Sequence, residues 1–128
     1  MSLRTVTIGK NVTIIGTNAF YGCKKLSKVN GANNVVKIGN SSFTNCGSLS
    51  SITVSETVRI IGKQAFYNCK NFKTITIKTS ALSTKTIGSN AFTGTYKKPT
   101  IKVPAKQMKT YKKLFGLKGM SSKAIYKK

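Results

Sequence analysis

The sequence predicts an α/β solenoid, a stack of β–α coils of 23 residues each, closed at its C-terminus by a helical cap. Three observations lead there. The stretch Ile61-Gly62-Lys63-Gln64-Ala65-Phe66-Tyr67-Asn68-Cys69 recurs at residues 15–23 and 38–46 and, less faithfully, at 87–95. The glycines of these copies, Gly16, Gly39, Gly62 and Gly88, fall 23, 23 and 26 residues apart, a period that belongs to stacked-repeat architectures. After Pro104 the repeat gives way to Ala105, Met108, Tyr111, Leu114 and Phe115 at helical spacing.

Taken in order, residues 4–14 read as the second half of a coil, with Val6, Ile8 and Val12 pointing inward. Entering mid-coil, the chain reads as a piece of a longer protein, and Met1-Ser2-Leu3 as residues foreign to the repeat. Each full unit then opens on its Gly, which ends the incoming strand as a turn residue. Thr17, Asn40, Lys63 or Ser89 follows, and three of these four types are good helix N-caps. Gly22, Asn45, Asn68 and Gly94 precede the cysteine column, and Gly or Asn there signals a left-handed backbone that ends a helix. A helix of little more than one turn is thus expected, with Ala19, Phe20 and Cys23 on its inner face. Leu26, Leu49 or Phe72 comes next, then a strand with alternating apolar positions: Val29; Ile52 and Val54; Ile75 and Ile77; Ile101 and Val103. Each coil turns inward six to eight apolar side chains, worth roughly 1.5–3 kcal/mol apiece when covered. Only neighbouring coils can cover them, so a single coil would not fold.

The third spacing carries extra Ser- and Thr-rich residues between Lys78 and Lys85, read as a loop bulging from one edge. The division is therefore residues 1–104, a solenoid of about four coils with the first partial, and residues 105–128, a basic cap. In the cap, Lys106, Lys109, Lys112 and Lys113 lie opposite the apolar stripe, Gly116 and Gly119 break the helix, and residues 121–128 add a short strand. A helix laid on a membrane surface is the alternative reading, and it needs the apolar face to be free.

The charge is extreme. Twenty-one Lys and two Arg face a single acid, Glu56, and His is absent, for a net +22. Such a chain attracts polyanions with strong salt dependence. The same inventory argues against catalysis: general acid–base pairs, a Ser-His-Asp arrangement and paired carboxylates are all missing. No cofactor is expected, and three cysteines in a line, Cys23, Cys46 and Cys69, do not make a tetrahedral metal site. Stacked at about 4.8 Å with parallel Cβ vectors, they suit disulfides poorly and read as buried thiols acting as small hydrophobes. The longest apolar runs are too short to span a bilayer. Residues 1–20 also lack the pattern of a secretion signal, which means little in a chain that starts mid-coil.

The order Leu49, Ile52, Val54, Val58, Ile61, Gly62, Ala65, Phe66, Cys69 is similar to the BspA-like (Treponema-type) leucine-rich repeats over about residues 4–104. Departures are small: Ala32, Ser55 and Thr79 stand where that family often has Pro, Pro104 keeps it, and Thr95 replaces the fourth cysteine. The resemblance implies a right-handed β-α superhelix from a bacterial cell-surface or secreted protein that binds other proteins or surfaces, with no shared catalytic activity.

Two candidate binding surfaces emerge. Outward strand positions Lys28, Asn30, Ser51, Thr53, Thr74, Thr76, Thr100 and Lys102 form adjoining rows, the face solenoids commonly offer to a protein or cell-surface ligand. Ser and Thr without a large aromatic anchor make it a bland surface, equally readable as an ordinary solvated sheet. Lys97, Lys98, Lys106, Lys109, Lys112 and Lys113 form the second candidate, for a polyanion such as an acidic cell-wall polymer or nucleic acid. Lys in place of Arg disfavours base-specific readout. The bland counterparts are a surface charged for solubility and a purely structural end cap of a longer array.

Overall fold

Backbone hydrogen bonds in this protein run mostly between coils, at a separation of one repeat, and they fix the architecture. The computed structural model describes residues 3–128, so the reading of Met1 and Ser2 lies outside the described residues. Leu3, read as foreign to the repeat, packs against the core 23 residues before Leu26 and belongs to that column. The main strands are β1 (Thr5–Ile8), β3 (Lys28–Gly31), β5 (Ser51–Val54), β7 (Thr74–Ile77) and β8 (Thr100–Lys102). Shorter strands β2 (Ile14–Ile15), β4 (Lys37–Ile38) and β6 (Ile60–Ile61) stand between them in the chain. All pairings are parallel and in phase with the repeat: Val6 lies beside Val29, Ile52 beside Ile75 and Ile75 beside Ile101. On a second wall Ile15, Ile38 and Ile61 line up, and an isolated bridge adds Ile87.

The third wall corrects the expected helical turn. Residues 17–22 form tandem turns, not a helix. Asn18, Ser41, Gln64 and Asn90 take left-handed φ of 60°, 54°, 55° and 57°, which breaks any run of helical dihedrals. The amides of Asn18, Phe20 and Gly22 donate to the carbonyls of Asn40, Ser42 and Thr44, while those of Ala19, Tyr21 and Cys23 close turns on Gly16, Asn18 and Phe20. Alternate amides thus tie the coil to its neighbour. The expected N-cap does the same: Asn40 Oδ1 accepts the Lys63 amide, 23 residues on, at 2.9 Å. At the other end of the turns the expectation holds, with Gly22, Asn45, Asn68 and Gly94 left-handed at 71°, 63°, 63° and 80°.

The repeating Gly of Ile-Gly has a different cause from the one expected. Gly39, Gly62 and Gly88 do not occupy positive φ. A Cβ on Gly62 would sit 2.5 Å from the Asn40 amide nitrogen, and one on Gly39 2.6 Å from the Ile15 carbonyl. The column is glycine because the backbone of the preceding coil occupies the space of a side chain.

Inside, like residues make continuous columns. Rings of Phe20, Phe43, Phe66 and Phe92 stack with centroids 5.3, 5.4 and 5.6 Å apart, pairs worth ~0.5–1.5 kcal/mol each beyond their burial. Cys23, Cys46 and Cys69 are buried free thiols. Two of them are more than small hydrophobes: Cys46 Sγ donates to the Phe20 carbonyl at 3.1 Å and Cys69 Sγ to that of Phe43 at 3.0 Å. The first coil departs from expectation: Val12 is 37% exposed and Ala19 exposed, because no coil among the described residues covers them.

At the other end the chain forms a 3-10 turn (Ala105–Gln107), helix α1 (Met108–Leu117) and strand β9 (Ile125–Lys127). Tyr111, Leu114 and Phe115 are buried, which removes the free apolar face a membrane-surface helix would need. Gly116 lies within α1, and the break comes at Gly119, φ 97°. The expected final strand is β9, paired with β8. The 78–85 segment does not simply bulge. Thr79 and Leu82 are buried, and Tyr111 Oη donates to the Thr79 carbonyl at 2.7 Å while accepting the Leu82 amide at 3.2 Å.

The main sheet is not continuous. β1–β3 and β5–β7–β8–β9 are separate sheets. Gly31 stands where the following coil has the inward Val54, and Gly31 and Ala32 are both left-handed, at 81° and 63°. Two such residues in succession end β3, and no ladder joins it to β5.

Candidate interaction surfaces

Period-2 alternation sends the side chains between the buried Ile and Val of each strand outward, and the register aligns them. One row is Thr5, Lys28, interrupted at the sheet break, then Ser51, Thr74, Thr100 and Ile125; the other is Thr7, Asn30, again the break, then Thr53, Thr76, Lys102 and Lys127. Of the expected sheet-face residues, Lys28, Asn30, Ser51, Thr53, Thr74 and Thr76 line a groove of about 280 Å³ across the gap between β3 and β5. Thr100 and Lys102 lie beyond it. Lys102 instead borders a depression with Thr76, Lys78, Pro104, Lys128 and Glu56. Its register partner is Lys127, a like-charged cross-strand pair that costs stability unless an anion or solvent screens it.

The six C-terminal lysines are all exposed, but they fall in two stretches on either side of β8. Lys97 and Lys98 precede β8, where Ser121 Oγ donates to the Lys97 carbonyl at 2.5 Å. Lys106, Lys109, Lys112 and Lys113 ride on the 3-10 turn and α1, Lys112 Nζ lying 5.9 Å from the Tyr126 ring centre.

A third surface escaped the sequence reading. Tyr21, Gly22, Lys24, Asn45, Gly47, Asn68 and Lys70 line a groove of about 440 Å³ beside the tandem turns. Its signal was present in the 23-residue spacing of Lys24, Gly47 and Lys70, which counts of lysine by region conceal.

Two of the three thiols, Cys46 and Cys69, are poor nucleophiles. Burial pushes Cys46 from 9.0 to about 12, with the neighbouring Cys23 adding to the rise, and raises Cys69 further, again mainly through burial with Cys46 adding. At neutral pH both are fully protonated, and the reactive form is the thiolate. Among the described residues no group of three or more His, Cys, Asp or Glu comes together to hold a metal. No helix among them is long and apolar enough to cross a membrane.

Comparison with known proteins agrees with this architecture. A family described as "BspA type Leucine rich repeat region" matches in six copies over residues 1–119. The crystal structure of a leucine-rich repeat protein from Bacteroides ovatus ATCC 8483 superposes with a TM-score of 0.72 at 30% identity, covering 98% of this chain and 30% of that one. This chain thus spans under a third of the length of that protein. No curated protein matches. With the repeat model spanning nearly the whole sequence, the chain belongs to the BspA-type leucine-rich repeat family, whose repeats suggest a protein-interaction module.

Proposed function

We propose that this chain is a non-catalytic binding module of a bacterial cell-surface or secreted protein, and that it takes a protein partner or surface ligand on its main sheet face. Leucine-rich repeats of this family are typically non-catalytic and generally surface-associated, which supports the first half. The observation that carries the second is the groove between β3 and β5, lined by six of the eight outward strand positions that alternation picks out. The facing edges of β3 and β5 are joined by no ladder, and the groove along them is open to a partner's side chains. Thr53→Arg with Thr76→Arg fills the groove without touching the core. Surface plasmon resonance against host extracellular-matrix proteins and bacterial envelope fractions is expected to lose its signal in this variant; undiminished capture would sink the reading.

A second reading is attachment to an acidic cell-wall polymer or nucleic acid through Lys97, Lys98, Lys106, Lys109, Lys112 and Lys113. The net charge of +22 and the exposure of all six favour it. Retention on teichoic acid should fall steeply with salt, and replacing all six by Gln without loss of retention would refute it.

A further inference from the structure

We infer that the groove beside the tandem turns is a binding site for an acidic polysaccharide carrying one carboxylate per disaccharide. It lies off the sheet face and does not depend on the function proposed for that face. Coil stacking builds it. Asn45 and Asn68 are consecutive members of one column, and Asn68 Nδ2 donates to Asn45 Oδ1 at 3.0 Å. That bond occupies the oxygen of Asn45 and leaves this side chain its own amide hydrogens to donate. On the parallel column Lys24, Gly47 and Lys70 follow one another, and all three line the same groove. The absence of a side chain at Gly47 leaves the floor open, and Lys24 and Lys70 flank it on the lining.

The dimensions select the ligand. Lys24 and Lys70 stand two coil steps apart, about 10 Å at about 4.8 Å per step, close to the length of a disaccharide. Two consecutive carboxylates of a polymer charged once per disaccharide can each meet a lysine, with the intervening sugar lying over Gly47. Tyr21, 52% exposed at the groove's end, offers an apolar ring face and a hydroxyl, as sugar stacking requires. The groove contains no carboxylate, Glu56 lying on other surfaces. Nucleic acid suits it less well: both arginines, Arg4 and Arg59, lie elsewhere, and Tyr21 is the groove's single aromatic, whereas single strands are held by successive stacking platforms.

With so basic a chain the test must separate the groove from bulk charge. Gly47→Leu changes no charge, and a Cβ at Gly47 meets nothing within 4 Å, so the variant should fill the groove floor and leave the melting temperature unchanged. Binding of a hyaluronan octasaccharide is measured by calorimetry for the full chain, for Gly47→Leu, for Lys24→Gln with Lys70→Gln, and for Lys112→Gln with Lys113→Gln as a control of equal charge loss. The inference expects about tenfold weaker binding in the first two variants and a change within about twofold in the control. Equal losses in the two lysine pairs, undiminished binding by Gly47→Leu, or no binding by the unaltered chain would overturn it. So would groove-dependent binding of an oligothymidylate in place of hyaluronan. Should Gly47→Leu lower the melting temperature, the two lysine pairs alone decide.

Discussion

The two ends of the stack are made from the same kinds of residue and behave differently. At the N-terminal end Phe20 is half-buried and stacks on one ring, that of Phe43, while Ile14 is 58% exposed and Tyr21 52%. Toward the C-terminal end Phe92 is fully buried between Phe66 and Phe115, and its amide donates to the Lys118 carbonyl at 3.0 Å. Phe20 and Phe92 hold the same repeat position. What separates them is the number of neighbours: a coil presents two flanks to its stack, and a residue is buried only if both are covered. Stability in such a stack resides largely in the interfaces between coils. The cap supplies the last interface with a helix and a lysine-bearing strand in place of another repeat.

The largest effect that can break this comparison is in the phenylalanine column. Phe66 is fully buried and packs on Phe43, Phe72 and Phe92. Phe66→Ala should cost about 3–5 kcal/mol in a urea unfolding experiment, whereas Phe20→Ala should cost less than half of that. Equal costs would show that the open end is as well packed as the interior. Next in size is Tyr111→Phe. Its hydroxyl serves two buried backbone groups of the inserted loop, at Thr79 and Leu82, and removing it leaves both without a partner, at about 1–3 kcal/mol. Hydrogen exchange at the Leu82 amide should accelerate more than the global loss of stability explains.

Alkaline pH offers an intermediate test. Cys46 titrates near 9.0 when unfolded and at about 12 when folded, held up chiefly by burial. The folded state therefore prefers the protonated thiol. Its contribution is complete below pH 9 and is lost as pH rises from 9 toward 12. Tyr126, half-buried and raised by that burial from 10.0 to about 12, adds a second loss between pH 10 and 12. Between pH 9 and 12 the melting temperature of the unaltered chain should thus fall relative to that of Cys46→Ala. An unchanged slope would mean that Cys46 opens to solvent before the stack unfolds.

Periodicity made the stack legible. A 23-residue period with inward Ile, Phe and Cys places the columns, and the rings of Phe20, Phe43 and Phe66 stand where it puts them. The turn between Gly and Cys was misread because N-cap residues and a terminal Asn signal a helix only when the intervening amides have no other acceptor. Here the neighbouring coil supplies one, as at Asn40 and Lys63. The sheet face was legible by alternation, but its break was not. Gly31 stands where the next coil has Val54, and neither it nor the left-handed Ala32 after it tells from sequence that β3 and β5 do not pair. The groove at Gly47 was hidden because it is assembled from three coils, none of which carries the pattern alone. Tyr111 read simply as one apolar residue of a stripe, since its two backbone partners lie 29 and 32 residues away.

The smallest expected effect is also the one that sets the two regions against each other most directly. The position before the column phenylalanine is Ala19, Ser42, Ala65 and Ala91 in successive coils. Ser42 is fully buried, and its Oγ has no hydrogen-bond partner. Ser42→Ala removes an unpaired buried hydroxyl and restores the residue that fits the column, for a gain of about 1 kcal/mol. The reverse change at the open end, Ala19→Ser, adds a hydroxyl that water reaches and should alter stability by less than about 0.5 kcal/mol. The same pair of side chains, exchanged in opposite directions one coil apart, therefore measures coverage alone. If Ala19→Ser instead destabilises as much as Ser42→Ala stabilises, the first coil is covered in solution by another chain, and a melting temperature that rises with protein concentration should accompany it.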